Sequence, residues 1–96
     1  MAELTYRDAV IEGLAQEMER DDAVVLVGED LVAGGVFKTT KGLYERFGSE
    51  RVWNTPISEQ AILGCAMGAA MKGVRPVAEI MFSDFYATCW DLVVNE

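Results

Sequence analysis

Ala23-Val-Val-Leu-Val27 is an unbroken apolar run closed by Gly28. A strand with one wet face alternates apolar and polar residues, so a continuous valine-rich run is read as a strand buried on both faces. Such strands belong to parallel sheets, which need helices on each face and a crossover between consecutive strands. This one segment therefore requires the rest of the chain to alternate helices with strands.

The flanking sequence meets that requirement. Thr5-Tyr-Arg-Asp8 has the form of a capping box, and Tyr6, Val10, Leu14 and Met18 recur along one helical face before Asp21-Asp22 breaks the pattern. Glu29 to Thr40 contains Gly34-Gly35 and no sustained period, which predicts a long loop. A short helix over Leu43–Phe47, stopped by Gly48, precedes a strand over Arg51–Trp53. Pro56 holds Thr55 extended, and Ser58 is placed to cap a helix over Glu59–Lys72 with Gly73 at its end. That helix carries Gly64 and Gly68 on one face, and each costs ~1 kcal/mol relative to alanine, so another backbone is expected to approach there. Val77–Phe82 is predicted as a third strand and Phe85–Asn95 as a last helix. The expected class is α/β, a parallel sheet with helices on both faces. Three strands leave long uncovered edges, so residues 1–96 are expected to be the leading part of something larger or to rely on a partner.

Charge narrows the function. Sixteen acidic against eight basic residues give −8, which opposes binding to nucleic acid or an anionic membrane. The absence of histidine excludes Ser-His-Asp and Cys-His catalysis within the chain. Cys65 and Cys89 lack CxxC spacing and sit in apolar stretches, so both are expected to be buried, reduced and structural. Residues 1–50 hold eleven acidic and five basic residues, residues 51–96 only five and three, which marks the second half as interior. The N-terminus has no secretory pattern and no uncharged run reaches the ~20 residues that span a bilayer, so a soluble, cytoplasmic protein is expected.

Ligands of open parallel sheets gather beyond the carboxyl ends of the strands. Gly28-Glu-Asp30, Thr55-Pro-Ile-Ser-Glu59 and Ser83-Asp-Phe85 all follow predicted strands. Glu59 places a carboxylate at that edge before an uncharged helix, although a first-turn glutamate also serves simply to complement the helix dipole. Glu29-Asp30 is either a ligand or magnesium contact or a solvated acidic turn. Met81, Phe82 and Phe85 either line a flat apolar site or belong to the core. Gly34-Gly35 fits neither a Walker loop nor a dinucleotide fingerprint.

Gly28-Glu-Asp30, Gly35-Val-Phe-Lys-Thr-Thr-Lys-Gly-Leu43, Asn54-Thr-Pro-Ile-Ser-Glu59, Gly64-Cys-Ala-Met-Gly68, Gly73-Val-Arg-Pro76 and Glu79-Ile-Met-Phe-Ser-Asp-Phe85 together resemble the beta subunit of thiamine-diphosphate-dependent 2-oxo acid dehydrogenases. The resemblance covers nearly the whole chain but only the first third of a typical member. It implies the N-terminal part of a transketolase-like pyrimidine-binding domain over residues 1–96. Glu59 stands where the family has its cofactor-activating glutamate, whose carboxyl group hydrogen-bonds the aminopyrimidine N1′ and favours the imino tautomer. By the same matching Glu29 and Ile57 fall at cofactor-contacting positions, Met81 and Phe85 face the pyrimidine ring, and Gly64 and Gly68 lie at an interface helix. The resemblance further implies oxidative decarboxylation of a 2-oxo acid such as pyruvate, with acyl transfer to a lipoyl acyltransferase component. It implies an alpha subunit that holds the diphosphate and its magnesium, a second beta subunit in an alpha2-beta2 heterotetramer, no metal ligand here, and no turnover by this chain alone. Pyruvate, acetoin and branched-chain substrates are not separated, with Met81-Phe-Ser-Asp-Phe85 leaning toward the first two. Two other readings compete: a receiver-like signalling module with Glu29-Asp30 as acidic pocket and Asp84 as phospho-acceptor, and a purely structural association fragment.

Overall fold

A computed structural model describes residues 3–96. Val24–Glu29 forms the central strand, β1, and all six of its residues are buried. The chain reaches it through α1 (Tyr6–Arg20), whose start is fixed by Thr5 Oγ1 accepting from Asp8 N–H at 3.1 Å. After β1 come a 3-10 turn over Leu31–Ala33, α2 (Leu43–Phe47), β2 (Val52–Thr55), α3 (Glu59–Met71), β3 (Arg75–Ala78), a 3-10 segment over Ser83–Cys89, and α4 (Trp90–Asn95). The sheet has three strands in the order β2-β1-β3, and both pairings are parallel. A strand buried along its whole length at the centre of a parallel sheet is the arrangement the run Ala23–Val27 demands.

The pleat divides β1 between two cores. Val24 and Leu26 join Ala15, Met18, Leu31, Leu43 and Val52 in one cluster beneath α1 and α2. Val25 and Val27 turn to the other face, where Ile62 and Ala66 of α3 and Cys89 are buried. Each fully buried aliphatic side chain contributes ~1.5–3 kcal/mol of transfer free energy, so β1 anchors both layers.

Arg51 ties the first layer together in a way its sequence position does not advertise. Its Nε donates to the Val24 carbonyl at 3.0 Å, and Nη2 donates to the carbonyls of Met18 at 2.7 Å, Asp21 at 3.0 Å and Val24 at 2.9 Å. The guanidinium also lies over the Phe47 ring, 5.2 Å from its centroid. One side chain thus satisfies carbonyls at the end of α1 and the entry to β1.

Several expectations are corrected. The α1 stripe is buried only in its C-terminal half: Met18 is inaccessible, whereas Tyr6 is 96% exposed and Val10 48%, so the first turns of α1 are not covered by the rest of the described chain. The second strand is Val52–Thr55 rather than Arg51–Trp53. The third is Arg75–Ala78 rather than Val77–Phe82, because Arg75 N–H donates to Ala23 and Glu79 N–H to Val27, and this register ends the pairing before Ile80. Phe85–Asn95 is not one helix. Thr88 Oγ1 donates to the Phe85 carbonyl at 2.7 Å within a 3-10 segment, and Cys89, at φ −127°, separates it from α4. The second half is not interior either, for Ile57, Met71, Phe82, Tyr86, Trp90 and Val94 are all exposed. Of the cysteines, Cys89 is buried as expected and Cys65 is exposed.

Candidate functional site

The carboxyl ends of β1 and β2, the start of α3 and the residues after β3 converge on one edge of the sheet. Glu29, the last residue of β1, stands in register with Thr55 of β2, and Gly28 with Asn54. Glu29 is 5% exposed. Burial pushes its carboxyl group above the ordinary glutamate range, and the neighbouring charges of Glu59, Asp30 and Glu79 push in the same direction. Four acidic side chains from three segments of the chain are thereby close enough to feel one another.

Glu59 is the first residue of α3 and is half-buried. Its position is set by the cap: Ser58 Oγ accepts from Ala61 N–H at 3.3 Å, and the Ser58 carbonyl accepts from Ile62 N–H at 2.9 Å. Extended Ser58, with φ −165°, turns the chain from the end of β2 into the helix. The sequence-derived pair Glu29 and Glu59 is therefore brought to one place.

The other candidates are distributed around it. Ile57 lies on the connection into α3 and is 80% exposed. Met81 is half-buried after β3, and Phe85 is exposed on the 3-10 segment that packs against α3. Phe82 links Phe37 and Phe85 by edge-to-face contacts, with ring centroids 5.1 and 5.3 Å apart. These aromatics form a partly open cluster rather than a sealed core. Among the described residues, no atom outside the helix's own backbone lies within 4 Å of where a Cβ on Gly64 or Gly68 would stand, so the close approach expected at these glycines is not made by them.

Glu79 and its partners escape the sequence reading of the site. Glu79 Oε2 accepts from Thr39 Oγ1 at 2.6 Å, while Oε1 is buried without a partner, as is Thr55 Oγ1. Asn54 Oδ1 accepts from Val32 N–H at 2.9 Å. The available signal is a lone acid in the apolar stretch Val77–Phe82; it reads as an interruption until the fold brings it beside Gly28. Thr39 and Glu79 also line a groove of about 290 Å³ with Leu14, Leu26, Val77 and Tyr86.

Asp84 is exposed and lies well past the end of β3 at Ala78, away from the strand-end position a receiver acceptor requires. Among the described residues no group of three His, Cys, Asp or Glu side chains is arranged to hold a metal ion. No described helix is long and apolar enough to cross a membrane.

The chain matches the family described as transketolase, pyrimidine binding domain, over residues 2–96. It is 48% identical over 97 residues to the 2-oxoisovalerate dehydrogenase subunit beta of Bacillus subtilis (strain 168), a match covering 100% of this chain and 30% of that protein. It is 42% identical to the acetoin:2,6-dichlorophenolindophenol oxidoreductase subunit beta of the same organism, covering 97% of this chain and 31% of the relative. The mitochondrial pyruvate dehydrogenase E1 component subunit beta of Homo sapiens is also 42% identical, over 97% of this chain and 26% of its own length. The chain thus spans about a third or less of the relatives it matches. Since one relative is named as mitochondrial, the relatives do not fix the cytoplasmic compartment expected from the sequence.

Proposed function

This chain belongs to the transketolase pyrimidine-binding domain family, and from that premise we propose that it is the N-terminal portion of a beta subunit of a 2-oxo acid dehydrogenase decarboxylating component. In this reading it holds the aminopyrimidine of thiamine diphosphate. The observation that carries it is the half-buried Glu59 carboxyl at the head of α3, beside the nearly inaccessible Glu29.

The donor set fits such a ring. An aminopyrimidine needs a carboxyl group for its ring nitrogen and apolar side chains for its faces. Glu59 supplies the first, while Ile57, Met81 and Phe85 are the proposed ring contacts. Thiamine diphosphate, when bound, supplies the nucleophilic carbon and electron sink for decarboxylation of the 2-oxo acid.

The chain's own residues hold and orient. Glu59, fixed in place by the Ser58 cap, would hydrogen-bond the pyrimidine N1′ through its carboxyl group. Burial and the charges of Glu59, Asp30 and Glu79 raise the pKa of Glu29 above that of an ordinary glutamate. Gly64 and Gly68 leave the face of α3 smooth for a helix of another subunit. The diphosphate and magnesium fall to an alpha subunit, the assembly is alpha2-beta2, and the acyl group passes to a lipoyl acyltransferase component. Pyruvate, acetoin-type and branched-chain substrates all remain within this reading, as the relatives' names include each.

The test is Glu59→Gln in the complete assembled enzyme. Turnover should fall by about 100-fold or more, while native mass stays that of the unmodified assembly. Turnover within a few-fold of the unmodified enzyme would remove Glu59 from the role.

A further inference from the structure

The loop that follows Glu29 is stitched internally. Gly35 N–H donates to the Asp30 carbonyl at 2.9 Å, Thr40 N–H to Gly34 at 3.0 Å, and the buried Thr40 Oγ1 to Leu31 at 3.2 Å. Asp30 at φ 56° and Gly34 at φ 99° give it left-handed corners. As a unit it is joined to the sheet by a side-chain contact on each side. Asn54 of β2 accepts from Val32, and Glu79, just past β3, accepts from Thr39. The Glu79 anchor is itself rigid, because its N–H pairs with Val27 at 3.0 Å and its Cβ and carbonyl oxygen lie 3.2 and 3.3 Å from where a Gly28 Cβ would stand.

The Glu79 carboxylate is costly where it is. One oxygen is buried with no partner, and it adds negative charge next to Glu29. An apolar residue there would avoid both penalties. Among the described residues the carboxylate accepts its hydrogen bond from Thr39, 40 residues earlier in the chain.

We propose that Glu79 is a positioning residue for the loop that follows Glu29, which through Thr39 it latches to the end of β3, where Glu79 packs on Gly28 of β1. The latch rests on the contacts above; only its consequence for cofactor binding rests on the reading of the site as a thiamine diphosphate site.

Three variants of the complete assembled protein test it. Glu79→Gln keeps an oxygen that can accept from Thr39, whereas Glu79→Ala and Thr39→Val each remove the contact. Hydrogen exchange of the amides of residues 34–42 should quicken about tenfold in Glu79→Ala and Thr39→Val and stay within about twofold in Glu79→Gln, with exchange in β1 unchanged in all three. Thiamine diphosphate affinity, measured by calorimetry, should fall in the same two variants and be retained in Glu79→Gln. Unchanged loop exchange in Thr39→Val overturns the latch, as does a Glu79→Gln variant that loosens as much as Glu79→Ala. Should Glu79→Ala fail to fold, the comparison of Thr39→Val with Glu79→Gln decides alone. If the unmodified protein takes up no thiamine diphosphate while the exchange pattern holds, the functional reading fails and the latch stands.

Discussion

Glu29 shows how a single carboxyl group couples the site to stability. Its folded-state pKa is raised, first by burial and then by Glu59, Asp30 and Glu79. An acid with a raised folded pKa binds more protons folded than unfolded. The stability it permits is whole while both states are protonated and is lost as pH rises from the unfolded glutamate value, ~4.3, through the folded value. Glu29→Gln removes that loss. The variant should therefore gain stability over the unmodified protein progressively from about pH 4 upward, as read from denaturant midpoints across the pH series. A gap that narrows with rising pH would reverse the sign. Glu29 was legible in the sequence as the acid behind a buried strand. Its raised pKa was not, since Glu59 and Glu79 reach it from positions 30 and 50 residues away in the chain.

At the level of elements, what local chemistry decides was readable. Thr5 and Ser58 cap α1 and α3 through bonds to N–H groups three residues on, and Gly48 ends α2, all of them short-range signals. What pairing across the sheet decides was not. β3 reads as Val77–Phe82 from its apolar residues, but its register is set by β1. Because Arg75 and Glu79 donate inward, the missing N–H of Pro76 falls on the outer side of an edge strand, where proline is tolerated. Ile80, Met81 and Phe82 are apolar for reasons other than strand formation; Phe82 packs edge-to-face with Phe37 and Phe85. Gly28 packs closely against Glu79, just past the end of β3. A Cβ on residue 28 would meet the Cβ and carbonyl oxygen of Glu79, and neither is free to swing away because Glu79 N–H is bonded to Val27. Gly28→Ala should cost about 1–3 kcal/mol in denaturation of the complete protein, the range for overpacking a close-packed interior. The same change at Gly42, where nothing lies within 4 Å but φ is +84°, separates crowding from backbone strain: loop 34–42 should loosen there without any disturbance of the β1–β3 joint. Equal effects on that joint from both substitutions would dismiss the crowding argument.

For the molecule as a whole, the apolar second half and the exposed surface it produces are one problem. Composition assigned residues 51–96 to an interior, and within this chain they leave Ile57, Met71, Phe82, Tyr86, Trp90 and Val94 in water. β2 and β3 each have a free edge. In this chain of 96 residues those apolar side chains are left uncovered, and the chain spans only 30% of a relative to which it is 48% identical. Gly64 and Gly68 sharpen the argument because their effect on this chain's own fold and on association should have opposite signs. A Cβ on either would meet no described atom within 4 Å outside its own helix, so replacing each with alanine should raise the stability of α3 within the 96-residue chain by ~1 kcal/mol per site, the ordinary gain for glycine in a helix interior. If another subunit's backbone packs across that face, the same substitutions hold the two helices apart by a methyl group. The double variant should then assemble less tightly, by about tenfold or more in dissociation constant, for an overpacking cost of about 1–3 kcal/mol at a close contact. Thermal unfolding of the chain and sedimentation of the assembled protein measure the two effects separately. Stabilisation with undiminished assembly would place the interface on another face of the molecule, and destabilisation of the chain itself would mean that α3 has a neighbour within it.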